Sequence, residues 1–263
     1  MPLLIINADD FGYGPGINLG IIESHKNGIL TSTTLMANMP GFDHAVELAK
    51  ENPKLGIGVH LVLTCDKPLL NNVPSLVDEK GNFKHLSFYE QEFFVDLDEL
   101  YQEWKAQIDK VIDAGIDPTH LDSHHHVNSI YPLSTVFERL AKEYSLPVRG
   151  NYNVSEDLTT TRRFFTMLDG IALEKEIWKP MSVGTLVDDV LTFDTLEAMC
   201  HPGFVDAELL DRSSFTNGRP YQVRELTKPY YQELFAQKGI TLGTFRDLEL
   251  YLTTGQLKKE AVV

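Results

Sequence analysis

The chain has 263 residues, 43% of them hydrophobic and 23% charged, which is typical of a globular protein and not of a disordered, collagen-like or coiled-coil chain. Its formal net charge of −15 disfavours nucleic acid and anionic membranes as partners. The two cysteines, Cys65 and Cys200, exclude a disulfide scaffold and favour a reducing compartment, so we expect a cytoplasmic protein. No apolar stretch approaches the ~18–20 residues needed to cross a membrane.

Strand-like and helix-like segments alternate along the chain. The predicted strands are residues 3–7, 31–36, 56–63, 119–122, a segment near 147–149, and 197–200. The predicted helices are residues 15–27, 42–50, 98–114, one between the fourth and fifth strands, and 223–238. This alternation favours parallel strands joined by right-handed crossovers. No linker or repeat divides the sequence, so we predict a single α/β domain over residues 1–263, with a barrel-like fold of mostly parallel strands.

Two regions interrupt this pattern. Residues 64–90 contain several proline, asparagine and glycine residues and form a long excursion, predicted to be a lid or a rim loop. Residues 151–195 show no clear periodicity and are left without assigned elements. Both segments are therefore candidates for loops that shape a binding site.

Unusual polar residues stand where predicted strands end. Asp9 and Asp10 follow the first strand, and His60 lies near the end of the third. Residues 120–126 and His201 follow later strands and together hold five of the nine histidines. Because chemistry in α/β barrels gathers at the carboxyl ends of the strands, we expect these side chains to meet at one edge of the sheet.

The adjacent carboxylates Asp9 and Asp10 would repel each other if both were buried and ionised, and a nearby cation would relieve that repulsion. A surface turn is the alternative, although the apolar run that precedes them makes it less favoured. His60 taken alone is more often a hydrogen-bonded core residue than a ligand. Asp9 and Asp10 together are therefore stronger evidence for a metal or catalytic site than His60 is.

The run His124, His125 and His126 strengthens that prediction. In an extended segment alternate residues face the same way, so His124 and His126 converge while His125 points elsewhere. A pH-sensitive surface patch is the alternative. Imidazole and carboxylate ligands suit a divalent metal; their softness favours Zn²⁺, whereas Mg²⁺ prefers mostly oxygen.

Two further residues are candidates for catalysis. His201, in a His-Pro-Gly turn, has the pKa class of a general acid near neutral pH, although the turn taken alone favours a histidine that caps backbone carbonyls. Arg149 follows a predicted strand and can hold a carboxylate through a bidentate pair, with an ordinary salt bridge as the alternative.

Taken as a set, these motifs resemble those of the YdjC-like carbohydrate deacetylases. The matching segments run in the same order and with similar spacing, and they are residues 7–12, 31–34, 58–64, 119–127 and 201–203. The resemblance implies a distorted (β/α) barrel, a divalent metal that is usually Mg²⁺, removal of N-acetyl groups from oligosaccharides such as chitooligosaccharides, and often a homodimer. It extends from the N-terminus to about residue 205.

Carried over by position, the resemblance implies that His60 and His124 are metal ligands and that Asp10 completes the site. Asp9 is then the general base. His126 is a reserve ligand. In this mechanism Arg149 orients Asp9, and His201 protonates the leaving amine.

Two other functions stay open on the sequence. A metal-dependent phosphohydrolase also uses Asp and His clusters, but it requires two metals and basic phosphate clamps, and the motifs include no Gly-rich cradle or Lys/Arg cluster. A non-catalytic sugar-binding or metal-binding module would keep the fold without turnover. Release of acetate or of phosphate separates these possibilities.

Overall fold

The computed structural model describes residues 1–166 and 180–254, with side chains of the helix at 180–193 described from residue 185 onward. The strands are Leu3–Phe11 (β1), Ser32–Leu35 (β2), Gly56–Leu61 (β3), Leu121–Ser123 (β4), Arg163–Phe165 (β5), Thr195–Cys200 (β6) and Thr241–Leu242 (β7). The helices are Pro15–Lys26 (α1), Phe42–Glu51 (α2), Leu86–Tyr89 (α3), Leu97–Asp113 (α4), Leu133–Glu143 (α5), Pro180–Phe193 (α6), Ala207–Arg212 (α7), Arg219–Leu226 (α8), Pro229–Gln237 (α9) and Phe245–Thr254 (α10). A 3₁₀ helix, His124–Ser129, follows β4 directly.

The strands form one curled parallel sheet in the order β4-β3-β2-β1-β6-β5, with β7 beside the start of β1. The helices that connect them make this a distorted (β/α) half-barrel, so the predicted fold class is confirmed. The parallel arrangement brings the carboxyl ends of β1, β3, β4 and β6 to the same edge. Strands β5 and β7 have no counterpart among the predicted strands.

The central strand β1 is buried along its whole length, as a parallel strand covered on both sides must be. Leu3 and Ile5 pack against Phe245 of α10, which closes one end of the half-barrel. His120 stacks on Phe245 with 3.8 Å between ring centroids. Gly58 leaves room for that ring, because a Cβ at this position would lie 2.5 Å from it. His120 therefore serves packing at the end of the barrel opposite the polar strand ends.

Helix α4 is the longest helix of the described ranges, with 17 residues. The Asp96 carboxylate caps its first turn by accepting hydrogen bonds from two backbone N–H groups. Leu100, Trp104 and Ile108 form its apolar face and are fully buried, whereas the opposite face is polar. Within the described part of the chain, no helix combines the length and the apolarity needed to cross a bilayer.

Two predicted elements differ from the structure. The helix predicted for residues 223–238 is two helices, α8 and α9, because Pro229 lacks a backbone N–H and cannot continue the first of them. The strand predicted near 147–149 forms only a single parallel bridge, between Val148 and Leu121. That bridge still places the next residue, Arg149, beside the sheet.

The long loop after β3 is held down by two buried side chains of α4. Glu103 accepts hydrogen bonds from the backbone N–H groups of Leu69 and Leu70, at 2.9 Å each. Gln107 bonds both the N–H and the carbonyl of Val62. Residues 64–90 were predicted to form a lid or a rim loop. Because buried side chains of α4 bond the backbone of this loop, the structure favours the rim loop.

Candidate functional site

A pocket of about 570 Å³ opens at the carboxyl edge of the sheet. Five of the six site residues predicted from the sequence line it: Asp9, Asp10, His60, His124 and His201. The sixth, Arg149, is completely buried and hydrogen-bonded to Asp9. The prediction that residues far apart in sequence meet at one edge therefore agrees with the geometry.

A bulge in β1 lets both aspartates serve this pocket. The pairing of β1 with β2 shifts register between Ala8 and Phe11, and Asp10 within that interval has a φ of 73°. Side chains in a regular strand alternate between faces, whereas a bulge with a left-handed residue re-aims a side chain. Aspartate tolerates this region better than most residues. Strain of this kind is found at functional sites.

Asp10, His60 and His124 form one buried group whose ligand atoms lie within 4.8 Å of one another. Asp10 Oδ1 lies 3.5 Å from His60 Nε2 and 3.0 Å from His124 Nδ1. Asp10 Oδ1 and His60 Nε2 form no hydrogen bond within the described residues. Buried polar atoms without partners are unfavourable, and a divalent cation would satisfy them together. These three residues therefore fit a metal ion.

The second carboxylate oxygen of Asp10 is already occupied. Arg219, at the start of α8, donates from Nη2 to Asp10 Oδ2 at 2.7 Å and from Nε to the carbonyl of Phe215 at 2.9 Å. This pairing leaves Oδ1 turned toward the two histidines. Arg219 thus orients the carboxylate for ligation, in the way that outer partners orient metal ligands.

The histidine run does not adopt the predicted extended conformation. His125 and His126 have left-handed, non-helical φ values of 56° and 57°, so the segment His124–Ser129 is kinked at these two residues. His125 Nδ1 lies 2.9 Å from the Thr64 hydroxyl, and the ring of His126 makes an edge contact with Phe164. His126, the reserve ligand, lines the pocket but is absent from the groups that could hold a metal in the described residues.

Arg149 joins three buried carboxyl groups that come from three different strands. It binds Asp9 through two nitrogens, with 2.7 Å from Nη1 to Oδ2 and 2.6 Å from Nη2 to Oδ1. Nη2 also lies 2.8 Å from Asp122 Oδ2, and Nε donates to Glu197 Oε1 at 2.9 Å. The bidentate pair with Asp9 is the geometry that fixes the plane of a carboxylate most strictly.

A second acidic group, Asp9, His60 and Asp122, also has its ligand atoms close together. Here the Arg149 guanidinium lies between the two carboxylates and already neutralises them. His60 Nδ1 donates to Asp122 Oδ1 at 2.7 Å, because an ionised carboxylate can only accept. That bond leaves Nε2 as the nitrogen available to a metal at Asp10 and His124.

Buried charges shift several pKa values in this cluster. Burial would raise the pKa of both aspartates, but Arg149 outweighs it at Asp9 and Arg219 outweighs it at Asp10, so both lie well below the usual range. Burial would lower the pKa of His60, but the neighbouring carboxylates, first of all Asp122, raise it to about 10. Both aspartates are thus anionic at neutral pH, so Asp10 can ligate a cation and Asp9 can accept hydrogen bonds.

His201 follows β6 and lies beside Asp9, outside the group formed by Asp10, His60 and His124. Its Nε2 is 3.9 Å from Asp9 Oδ2, and its ring makes an edge contact with Phe215 at 5.9 Å between centroids. The side chain is 19% exposed, so it reaches the pocket and solvent. It is therefore placed to exchange a proton with a bound molecule beside Asp9.

Three further residues belong to the site but were not predicted from the sequence: Asp122, Glu197 and Arg219. Asp122 stands two residues before His124, and a carboxylate so close to candidate ligands is a usable signal. Glu197 is an acidic residue inside an apolar strand, which also could have been noticed. Arg219 carries no sequence signal, since it lies 209 residues from its partner Asp10.

Known proteins resemble this chain over most of its length. A family model described as "YdjC-like protein" matches residues 3–237. A carbohydrate deacetylase of Clostridium beijerinckii is 42% identical over 249 residues, covering 93% of this chain and 99% of that one. One of Brevibacillus brevis is 39% identical over 254 residues, with coverage of 93% and 99%. A crystal structure from Enterococcus faecalis V583, described as a candidate cellobiose-phosphate cleavage protein, has a TM-score of 0.85 and 38% identity, covering 94% of this chain and 98% of that one.

Proposed function

Because the chain belongs to the YdjC-like protein family, we propose that it is a metal-dependent hydrolase that removes N-acetyl groups from chitooligosaccharides or related sugars. The chain is an enzyme that deacetylates carbohydrates. We propose three further details: that the reaction depends on a metal, that the sugar is a chitooligosaccharide or a related sugar, and that one deacetylase domain covers residues 1–263. We also propose a cytoplasmic location, which the two cysteines favour, and the homodimer that the family resemblance implies.

The observation that carries the metal dependence is the convergence of Asp10, His60 and His124, in which two buried atoms, Asp10 Oδ1 and His60 Nε2, form no hydrogen bond with the described residues. One carboxylate and two imidazoles suit several divalent ions. The resemblance implies Mg²⁺, and the softness of the imidazoles favours Zn²⁺. Titration calorimetry with each ion decides between them.

In the proposed mechanism the chain supplies a base and an acid on either side of the scissile bond. A divalent cation held by Asp10, His60 and His124 would polarise the acetyl carbonyl and lower the pKa of water. Asp9, fixed by its bidentate pair with Arg149, removes a proton from the attacking water. His201 then donates a proton to the leaving amine. The products are acetate and a free amino sugar.

The geometry gives less support to the phosphohydrolase. That reaction would use two cations, and the second acidic group, around Asp9 and Asp122, already holds the Arg149 guanidinium. We therefore expect acetate from diacetylchitobiose and no phosphate from a phosphomonoester when the protein is incubated with Mg²⁺, Zn²⁺ or Co²⁺. Sugar binding without acetate release would instead identify a non-catalytic module, and phosphate release would identify a phosphohydrolase.

The proton-donor role of His201 makes a prediction that depends on the leaving group. His201→Gln removes the acid, so we expect kcat on diacetylchitobiose to fall by about 10²–10⁴-fold. An amine cannot depart without a proton, whereas p-nitrophenolate can. The same variant should therefore hydrolyse p-nitrophenyl acetate within about tenfold of the wild type. Both rates follow from steady-state kinetics.

The second substrate serves as the internal control, because it uses the same base and the same metal residues. Calorimetry should give His201→Gln an unchanged affinity for the cation, since His201 lies outside the Asp10, His60 and His124 group. Equal losses on the amide and on the ester would contradict the role of proton donor.

A further inference from the structure

The carboxyl group of Glu197 lies beneath the pocket and has no role in the mechanism above. It is completely buried on β6. Its Oε1 accepts from Arg149 Nε at 2.9 Å, while Oε2 has no hydrogen-bond partner in residues 1–166 and 180–254. A buried, half-satisfied carboxyl group is unfavourable for stability, and such groups call for a functional explanation.

One guanidinium is shared among three carboxyl groups here. Arg149 gives two nitrogens to Asp9, approaches Asp122 with one of them, and gives Nε to Glu197. Three buried anions around one cation repel one another, so the three cannot all be ionised without cost.

The other titratable groups that face this cluster are four histidines: His60, His120, His126 and His201. His60 bonds Asp122, and His126 has its Nδ1 without a partner among the described residues. Burial raises the pKa of Glu197, Arg149 lowers it, and the other two carboxylates raise it further, to about 7. Glu197 is thus the member of the cluster that gains and loses a proton near neutral pH.

We propose that Glu197 is a positioning residue for the general base, acting through Arg149 to control how strongly the guanidinium is shared with Asp9. This inference rests on the proposed deacetylase function. When Glu197 is ionised it attracts Arg149, so that Asp9 becomes the better proton acceptor. When Glu197 is neutral, the charge of Arg149 is left to Asp9 and Asp122, and Asp9 is the weaker base.

The test compares Glu197→Gln with the wild type across the pH range. The amide keeps an oxygen for Arg149 Nε but cannot ionise. At about pH 6 we expect equal kcat values, and at about pH 8 we expect the variant to be slower by about tenfold with KM unchanged. The ratio of the two rates removes any pH dependence that both proteins share. A purely structural effect of the substitution would give a ratio that does not change with pH.

A second measurement needs no turnover. The infrared carbonyl stretch of a protonated carboxylic acid should be present in the wild type at about pH 6, disappear by about pH 8, and be absent from Glu197→Gln. Glu225→Gln is the matched control, because Glu225 is also a buried glutamate, paired with Lys228 on the far end of α8. Its rate ratio to the wild type should stay near one at both pH values.

The outcomes separate this inference from the proposed function. A wild type that releases no acetate overturns both. Normal wild-type turnover with a pH-independent ratio, or an infrared band that survives in Glu197→Gln, overturns the role of Glu197 alone. If Glu197→Gln does not fold, Glu197→Asp withdraws the carboxylate from Arg149 and should lower kcat at about pH 8 while leaving it near the wild-type value at about pH 6. A Glu197→Asp profile identical to that of the wild type would also overturn the inference.

Discussion

Replacing His124 with alanine is expected to abolish binding of the divalent cation and, with it, release of acetate from diacetylchitobiose. The substitution removes one of the three ligands and leaves Asp10 Oδ1 with a single imidazole nearby, that of His60. Catalytic metal sites typically have three protein ligands and one open position, and two ligands fall short of that set. The loss should be complete in titration calorimetry with Mg²⁺ and with Zn²⁺. The fold should survive, because His124 lines the pocket and does not belong to the hydrophobic core.

The neighbouring His125 provides the matched control. It is also a pocket histidine, but its Nδ1 contacts the Thr64 hydroxyl and it is outside the candidate metal group. His125→Ala should bind the cation with an affinity within about tenfold of the wild type. Full activity in His124→Ala, or equal loss of metal affinity in both variants, would show that the ligand assignment is wrong.

Replacing Arg149 with methionine is expected to destabilise the protein by about 3–5 kcal/mol at neutral pH, because it leaves buried carboxylates without their cation. Arg149 is fully buried and is the cation that Asp9, Asp122 and Glu197 share. Methionine fills a similar volume without charge or donors. Urea unfolding followed by circular dichroism measures the change in the free energy of unfolding. Deacetylation should be lost as well, since Asp9 loses its orientation.

The pH dependence of this effect has a definite sign. In the wild type the folded-state pKa of Asp9 is lowered, so the stability from its pairing is present above the unfolded pKa and is lost as the pH falls. In Arg149→Met the unpaired carboxyl groups have raised pKa values and bind protons on folding. The stability difference should therefore be smaller at about pH 5 than at about pH 7. A difference that grows as the pH falls would contradict this account.

Arg162→Met is the control for loss of an arginine as such. Its salt bridge to Asp194 joins two side chains that are about half exposed, and such pairs contribute little. We expect a change below about 1 kcal/mol that hardly varies with pH. A comparable loss of unfolding free energy in both variants would mean that burial does not determine how much Arg149 contributes to stability.

The β1 segment shows how far the sequence pattern reaches. Its apolar run predicts a strand over residues 3–7, and the structure continues that strand to Phe11. Strict alternation would place Asp9 and Asp10 on opposite faces, and nothing in the sequence signals the bulge that brings both to the pocket. The same limit applies to His126. An extended chain would turn its side chain in the same direction as that of His124, but the segment is kinked at His125 and His126.

The buried charges show a second limit. Sequence reasoning considers Arg149 and Asp9 as candidates for a pair, and the structure has that bidentate pair. It could not assign Arg219 to Asp10 or Glu197 to Arg149, because ion pairs between distant segments depend on the register of strands and helices that are far apart in the chain. The roles of the two aspartates differ through these partners, and the dipeptide alone contains no such distinction.

The amino-acid sequence by itself determined the parallel α/β architecture and the edge at which the polar residues gather. It could do so because strand–helix alternation is a local pattern, and parallel topology then brings every strand end to one side. Only the tertiary structure decided which oxygen of Asp10 and which nitrogen of His60 are left open, and that Asp9 belongs to Arg149. Those outcomes follow from a backbone bulge and from hydrogen bonds between residues up to 209 positions apart, which no local pattern encodes.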